Sequence, residues 1–130
     1  MTDDLRRRPF VLLVEDDRDS REMYAMGLEL CGLRVALAAT AAEALRLSVA
    51  EPPDIVVSDL TLPDMDGIAL AGALARDPAT AGVPIVALTG RSGDDDLTRA
   101  AAAGVRRVLV KPCPPDTLAD AIQDILRARH

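Results

Sequence analysis

The sequence is poor in the residues on which many catalytic and cofactor sites depend. It has one tyrosine, one phenylalanine and no tryptophan, and its only histidine is the last residue, His130. Histidine-based catalysis and histidine-rich metal sites are therefore close to excluded. The shortage of aromatic rings disfavours a flavin site and leaves the core to Val, Leu, Ile, Ala and Met.

Cysteine and long apolar runs are also scarce, and the 15 basic residues are outnumbered by 21 acidic ones. The two cysteines, Cys31 and Cys113, do not form a CxxC motif, which favours reduced thiols in a cytoplasmic protein. No apolar run approaches the roughly 20 residues that span a bilayer, and the start, MTDDLRRRPF, lacks the apolar stretch of a secretory signal. The net charge of −6 argues against direct nucleic-acid binding, because phosphate contacts need a basic surface. We therefore expect a cytoplasmic protein that contacts neither membrane nor nucleic acid.

The 130 residues fit one domain, with a polar tail over residues 1–9 and the domain over 10–130. Short apolar runs alternate with longer helical patterns, giving five strand–helix pairs. This alternation predicts a parallel sheet with helices on both faces. The predicted strands cover residues 10–14, 33–37, 55–57, 85–88 and 108–110, with the second and the last of these at the edges.

Helical spacing and capping residues place the helices between the strands. Met23, Met26 and Leu30 share one stripe of a helix over residues 18–31, which predicts that they face the core. Other boundaries follow from N-caps, C-terminal glycine and proline. These are N-caps at Thr40 and Asp66, three aspartates that open a helix at 94–96, its end at Gly104, and a last helix that starts at Pro114 and Pro115.

Polar side chains follow four of the predicted strands. Glu15 and Asp16 follow the first strand, Asp59 ends the third, Thr89 ends the fourth, and Lys111 ends the fifth. The carboxyl ends of parallel strands share one edge of the sheet, where ligands of such folds bind. Close carboxylates repel each other unless a cation intervenes, and Mg²⁺ with oxygen ligands meets that need. A carboxylate beside a metal ion, a lysine and a hydroxyl group suits phosphoryl transfer to the carboxylate.

In this combination the sequence resembles the receiver domain of bacterial two-component response regulators, of the chemotaxis-regulator type. The resemblance extends from about Phe10 to Arg127. It implies an α/β fold, a flavodoxin-like three-layer sandwich whose five-stranded parallel sheet has the order 2-1-3-4-5 with five helices. The stretches that carry it are LLVEDD (12–17), SDLTLPDMDG (58–67), PIVALTG (84–90), AAGV (102–105) and VKP (110–112).

The resemblance implies a role for each residue at the sheet edge. Asp59 looks like the phosphoacceptor, Thr89 like the switch hydroxyl, and Lys111 like the lysine that pairs with the phosphoryl group. The Lys111–Pro112 peptide bond is expected to be cis.

The same resemblance implies a Mg²⁺ site. Its ligands would be Asp16 directly, Glu15 through water, Asp59, and the backbone carbonyl of Thr61. Of the two further aspartates in this stretch, Asp64 is expected in a turn and solvated, and Asp66 at a helix cap.

The leading functional hypothesis is a phosphoacceptor receiver domain. A sensor histidine kinase or phosphotransfer protein would supply the phosphoryl group from a phosphohistidine. The face formed by the fourth helix, the fifth strand and the fifth helix would then bind a downstream protein target. Such a chain is not an enzyme acting on other substrates, because it catalyses only its own phosphorylation and dephosphorylation. It would be a monomer or a phosphorylation-dependent homodimer.

Three alternatives stay open beside this hypothesis. A receiver-like module that binds partners without phosphorylation is favoured by Val108, which stands where receivers usually have an aromatic residue. A phosphatase of the haloacid dehalogenase type would need a second aspartate where this chain has Thr61. A flavodoxin-like nucleotide or flavin binder would need a P-loop or GxGxxG, and neither is present. Cys113, where receivers commonly have phenylalanine, is either a small packing residue or a reactive thiol.

We predict slow loss of the phosphoryl group. Residues two positions after the phosphoacceptor and after the switch hydroxyl tune dephosphorylation in receivers, and here they are Thr61 and Arg91, which do not position an attacking water. Intact mass followed over time after removal of the phosphodonor measures the lifetime. A lifetime of only seconds would contradict the prediction.

Overall fold

The computed structural model describes residues 8–90 and 94–128. The predicted tail therefore lies outside the described residues except for its last two, and Arg91 and His130 lie outside as well. Five strands and five helices alternate along the described part of the chain. They are β1 (Phe10–Val14), α1 (Arg18–Leu30), β2 (Arg34–Ala38), α2 (Ala41–Ala50), β3 (Ile55–Asp59), α3 (Gly67–Arg76), β4 (Ile85–Thr89), α4 (Asp94–Ala102), β5 (Val105–Val110) and α5 (Pro115–Ala128).

The five strands form one parallel sheet in the order β2-β1-β3-β4-β5. This confirms the expected flavodoxin-like fold and both predicted edge strands. The continuous apolar runs of β1 and β4 are buried along their whole length, because helices cover both faces of the sheet.

Successive residues of the central strands supply two separate hydrophobic clusters, since side chains alternate between the faces of a sheet. Val11 and Leu13 of β1 pack into the cluster that α1 and α5 cover. Leu12 and Val14 pack into the cluster that α2, α3 and α4 cover. Fully burying one such side chain contributes about 1.5–3 kcal/mol. This two-sided core holds the carboxyl ends of the strands in register.

The predicted core stripe of α1 is wrong. Met23, Met26 and Leu30 are 47%, 66% and 83% exposed. The residues of α1 that face the core are instead Tyr24, Ala25 and Leu28. Both sets have helical spacing, and Tyr24 takes the inner face because its hydroxyl donates to the buried Cys113 carbonyl at 2.9 Å.

The predicted helix boundaries are confirmed. Thr40 Oγ1 accepts from the Glu43 amide at 3.1 Å, and Asp66 Oδ1 accepts from the Ile68 amide at 2.8 Å. Gly104 follows α4 with a φ of +93°, a conformation that glycine adopts without strain. The fourth helix begins at Asp94 and the last at Pro115, as predicted.

Gly67 lets the loop after β3 fold back onto the end of its own strand. Its amide donates to the Leu60 carbonyl at 2.9 Å. A Cβ atom at this position would lie 2.5 Å from the Asp59 carbonyl oxygen and 2.7 Å from the Leu60 Cα. Both neighbours are backbone atoms, so the loop must shift to admit a side chain.

We predict that Gly67→Ala lowers the free energy of unfolding by about 1–3 kcal/mol, the usual cost of overpacking. The matched control is Gly82→Ala, because a Cβ atom there meets nothing within 4 Å. Urea unfolding of both variants measures the difference. Equal stability of the two would contradict the close packing at Gly67.

Candidate metal and phosphoryl site

The acidic residues predicted at the sheet edge come together. Glu15 and Asp16 follow β1, Asp59 ends β3, and the two strands are hydrogen-bonded neighbours in the sheet. One carboxylate oxygen from each of the three lies within 4.8 Å of the others. The Glu15 side chain is buried and Asp16 is exposed, so the cluster opens to solvent on one side.

Lys111 joins two of these carboxylates. Its Nζ donates to Glu15 Oε1 at 2.7 Å and to Asp59 Oδ2 at 2.9 Å. The lysine follows β5, and its amide donates to the Thr89 carbonyl at 2.7 Å. The Lys111–Pro112 bond is cis, as expected. The predicted lysine is therefore in contact with the predicted phosphoacceptor.

The ionisation of Glu15 and Lys111 follows from this geometry. Burial raises the pKa of Glu15 to about 7, and the hydrogen bond from Lys111 offsets only part of that effect. Burial by itself lowers the pKa of Lys111, but its hydrogen bonds to Glu15 and Asp59 outweigh burial and raise that pKa above its usual value. The site therefore holds a firmly charged ammonium beside a carboxyl that ionises near neutral pH.

The donor atoms fit a hard divalent cation. Glu15 Oε2 is buried and accepts no hydrogen bond from the described residues, so an acceptor atom remains for a metal-bound water. Three carboxylates at this separation match the oxygen ligands of Mg²⁺, which retains several waters. Asp59 Oδ1 accepts from the Thr61 amide at 2.8 Å, which places the Thr61 backbone beside the cluster.

Sequence reasoning missed one residue of this site. The sequence analysis assigns no role to Arg21, whose Nη1 donates to the carbonyls of Glu15 at 2.9 Å and of Asp16 at 3.3 Å. It thereby fixes the turn that carries both acids. Its position on the first turns of a helix that directly follows the acidic pair was the available signal.

Asp64 is exposed, as expected, but it also makes hydrogen bonds that the sequence did not indicate. Its two carboxylate oxygens accept from the amides of Ala41 at 2.9 Å and Ala42 at 3.0 Å. These amides begin α2, where helix geometry leaves N–H groups without partners. The hydrogen bonds from Ala41 and Ala42 lower the pKa of Asp64. Asp64 thus fastens the loop after β3 to the neighbouring helix.

Thr89 lies buried at the end of β4, on the other side of the loop between β3 and α3. It lines a cavity of about 240 Å³ between the β3–α3 loop and α4. The other lining residues are Leu60, Thr61, Leu62, Asp66, Ile68 and Arg99. Among them, Arg99 and Asp66 form an ion pair, with Nη2 and Oδ2 3.1 Å apart.

The sequence departs from receivers at Val108 and Cys113, and both side chains pack in hydrophobic clusters. Val108 is partly buried and packs against the cluster beneath α4. Cys113 belongs to the opposite cluster and is 6% exposed. Burial raises the pKa of the Cys113 thiol, which supports the packing interpretation over a reactive thiol.

Residues 11–123 match the response regulator receiver domain family. The chain is 38% identical over 122 residues to the transcriptional regulatory protein PrrA of Mycobacterium tuberculosis, covering 93% of this chain and 51% of PrrA. It is 36% identical over 113 residues to an uncharacterized 14.6 kDa protein of Leptolyngbya boryana, covering 87% of this chain and 86% of that protein. The structure of the chemotaxis response regulator CheY4 of Vibrio cholerae superimposes with a TM-score of 0.86 at 30% identity, covering 91% and 98% of the two chains.

The family match and the fold together define the class of this chain, a receiver module of the kind found in two-component response regulators. The chain belongs to the response regulator receiver domain family. It spans about half the length of PrrA. Within the described residues, no helix is both long and apolar enough to cross a membrane.

We predict that the metal-free protein becomes less stable as pH rises from about 5 to 8. The folded-state pKa of Glu15 is about 7, against 4.5 for a free glutamate. Between these values the folded state holds a proton that the unfolded chain has released, so raising the pH favours unfolding. The loss is about 3 kcal/mol at most. Urea unfolding in the presence of a chelator measures it.

Glu15→Gln is the control for this pH dependence. The amide keeps the shape of the side chain and cannot ionise, so the variant is expected to lose less stability over the same pH range. Parallel profiles for the two proteins would show that Glu15 does not ionise as its burial implies.

Proposed function

We propose that Asp59 is the phosphoacceptor of this receiver domain and takes its phosphoryl group from a phosphohistidine. The observation that carries the proposal is the contact of Asp59 Oδ2 with Lys111 Nζ at 2.9 Å, inside a cluster of three carboxylates. A carboxylate that shares one rim with a lysine and a metal-binding acid pair has what phosphoryl transfer requires, namely a nucleophile and fixed positive charge.

The transfer is a single displacement. A carboxylate oxygen of Asp59 attacks phosphorus, a new P–O bond forms, and the P–N bond breaks with its electron pair returning to the imidazole of the donor. Lys111 Nζ and the Thr61 amide already donate to the Asp59 carboxylate, so they lie where they can reach phosphoryl oxygens. The buried Thr89 supplies a hydroxyl donor from β4.

The same residues would hold Mg²⁺. Asp16 and Asp59 would bind it directly and Thr61 by its backbone carbonyl. Glu15 would bind through water by Oε2, which has no hydrogen-bond partner among the described residues. When bound, Mg²⁺ supplies positive charge that offsets the charge on the phosphoryl oxygens. Arg21 keeps the acid pair in place by its bonds to the Glu15 and Asp16 carbonyls.

Phosphorylation would change the face formed by α4, β5 and α5, to which a downstream protein binds. A sensor histidine kinase or phosphotransfer protein would supply the phosphoryl group, and the chain itself would catalyse both the gain and the loss of that group. We place this exchange in the cytoplasm, in a receiver domain over residues 10–130 that follows a tail over 1–9. The protein would act as a monomer or as a phosphorylation-dependent homodimer.

One observation favours the alternative of an interaction module that works without phosphorylation. Lys111 bridges Glu15 and Asp59, so it neutralises part of the acidic cluster before any metal binds. The cluster is therefore less costly without Mg²⁺ than three bare carboxylates would be. Val108 supports the same alternative, because it removes the aromatic side chain through which receivers usually transmit the switch.

We predict that acetyl phosphate with Mg²⁺ adds one phosphoryl group to the protein and none to Asp59→Asn. Asparagine keeps the shape of the side chain but is not nucleophilic. Intact mass, recorded with and without Mg²⁺, measures the modification. Asp120→Asn, an exposed acid on α5, is the control and is expected to react as the unaltered protein does.

The outcomes of this experiment separate the two functions. A gain of one phosphoryl group that needs both Mg²⁺ and Asp59 supports the phosphoacceptor. A folded protein that gains no phosphoryl group and binds no Mg²⁺ contradicts it and supports the interaction module. Modification of Asp59→Asn to the same extent would place the chemistry on another residue.

A further inference from the structure

We propose that Asp64 is a positioning residue for the metal site, because it ties the loop after β3 to the start of α2. Through this contact it sets where the Thr61 carbonyl lies, and it makes the first turn of α2 respond to a bound metal ion. The inference rests on the proposed function, since it takes Thr61 as a ligand of Mg²⁺. It goes further by giving a role to a residue outside the cluster of Glu15, Asp16 and Asp59.

Asp64 holds α2 by both of its carboxylate oxygens. Oδ1 accepts from the Ala41 amide at 2.9 Å, and Oδ2 accepts from the Ala42 amide at 3.0 Å. Negative charge is favoured at the start of a helix, where backbone N–H groups have no partners within the helix. These two hydrogen bonds lower the pKa of Asp64, so the carboxylate is charged at neutral pH.

The helix α2 also has a cap made by its own residues. Thr40 Oγ1 accepts from the Glu43 amide at 3.1 Å, and Glu43 Oε1 accepts from the Ala39 amide at 2.9 Å. This reciprocal pair is a capping box, which begins a helix without help from elsewhere in the chain. The two amides that Asp64 binds therefore serve as a link between α2 and the loop after β3.

The start of α2 is a firm anchor for this loop. Ala41 and Ala44 are completely buried in the cluster that α2, α3 and α4 cover. Leu62 of the loop packs in the same cluster. Because protein interiors are closely packed, residues buried in this way resist movement. The loop is thus attached to an element that does not shift easily.

A short closed turn transmits the position of Asp64 to Thr61. Thr61 and Asp66 pair in an antiparallel β-bridge, so residues 62–65 between them form a closed turn. Pro63 lies in this turn, and its ring fixes its own φ. Asp64 and Thr61 therefore belong to one turn with little internal freedom, and a shift of one residue moves the other.

The hydrogen bond of the Thr61 amide depends on the reacting carboxylate itself. That amide donates to Asp59 Oδ1 at 2.8 Å, while Asp59 Oδ2 accepts from Lys111 Nζ at 2.9 Å. Metal binding or phosphorylation would use the same Asp59 oxygens, so it would alter these bonds. The bonds of Asp64 involve none of the reacting atoms. They can therefore hold the Thr61 backbone in place while the bonds of Asp59 change.

Coupling of this kind acts in both directions. If the contact of Asp64 with α2 favours Mg²⁺ binding, Mg²⁺ binding must strengthen that contact by the same free energy. We therefore expect the Ala41 and Ala42 amides to exchange hydrogen with solvent more slowly when Mg²⁺ is present. The first turn of α2 would then report occupation of a site to which it contributes none of the proposed ligands.

Calorimetric titration of the unphosphorylated protein with Mg²⁺ tests the role of Asp64. Asp64→Ala removes both hydrogen bonds to α2 and is expected to weaken Mg²⁺ binding about ten-fold, the lower end of the usual effect of groups that orient metal ligands. Asp64→Asn keeps one acceptor oxygen and is expected to give an intermediate affinity. This second variant keeps the test decisive if the alanine variant does not fold.

The matched control is Thr40→Ala, which removes a hydrogen bond from the start of the same helix without removing either bond to Asp64. A general loosening of α2 would weaken Mg²⁺ binding in this variant too, whereas the proposed coupling weakens it in the Asp64 variants alone. An affinity of the Asp64 variants equal to that of the unaltered protein overturns the proposal. An equal loss of affinity in Thr40→Ala also overturns it.

Amide hydrogen exchange gives a second measurement, which can be made on the unaltered protein. The Leu47 and Ser48 amides, farther along α2, are the internal reference for a general effect of Mg²⁺ on stability. Slower exchange of the Ala41 and Ala42 amides relative to this reference supports the coupling, and loss of the effect in Asp64→Asn assigns it to the carboxylate. Exchange that Mg²⁺ leaves unchanged at the start of α2 contradicts the coupling.

The titration also separates this proposal from the proposed function. If the unaltered protein binds no Mg²⁺, the proposed metal site fails and the role of Asp64 fails with it. If the unaltered protein binds Mg²⁺ and Asp16→Ala does not, the metal site stands, and the Asp64 variants decide the role of Asp64 alone.

Discussion

The ammonium group of Lys111 is the interaction on which the arrangement of the sheet edge depends. Glu15 is almost completely buried, and a buried carboxylate without a partner is costly. Lys111 supplies that partner and also contacts Asp59, so residues at the carboxyl ends of β1, β3 and β5 are held around one charge. The pKa of Glu15 nevertheless stays raised, because Lys111 offsets only part of the cost of burying its negative charge. A metal ion bound here would reduce that cost by supplying the positive charge that Lys111 cannot supply alone.

The loop between β3 and α3 also determines the arrangement of the sheet edge. Three aspartates hold this loop in place, each by contacts with a different part of the structure. Asp59 accepts from the Thr61 amide within the loop, Asp64 from the first amides of α2, and Asp66 from the first turn of α3 while it also pairs with Arg99. Gly67 then returns the chain to the end of β3. The Asp59 carboxylate is thus oriented by a loop that is anchored to α2 and to α4.

The central strands, the helix ends and the cluster at the sheet edge could be predicted from the sequence, because they depend on local rules. Continuous apolar runs gave the central strands, and the residues Thr40, Asp66 and Gly104 gave helix ends, since capping depends on a few adjacent residues. The edge residues Glu15, Asp16, Asp59 and Lys111 came together because parallel strands end on one side. Their order along the chain was therefore enough to predict the cluster.

The errors concern choices that local rules leave open. The exposed stripe of Met23, Met26 and Leu30 has the same helical period as the buried stripe, and only the contact of Tyr24 with Cys113, 89 residues away, decides between them. The hydrogen bonds of Asp64 and Arg21 were not predicted because their partners are backbone groups, which the sequence does not distinguish from one residue to the next. Such contacts depend on tertiary geometry rather than on side-chain pattern.

The distance along the chain between Glu15 and Lys111 has a consequence for biosynthesis. Their contact joins residues 96 positions apart, and the intervening chain contains β2, β3, β4 and the whole of β5. A ribosome-bound chain that has not yet released β5 has the acids but not the cation between them. The complete charge arrangement therefore forms only after β5 has left the ribosome and joined the sheet. A chain that has this arrangement has already placed its last strand.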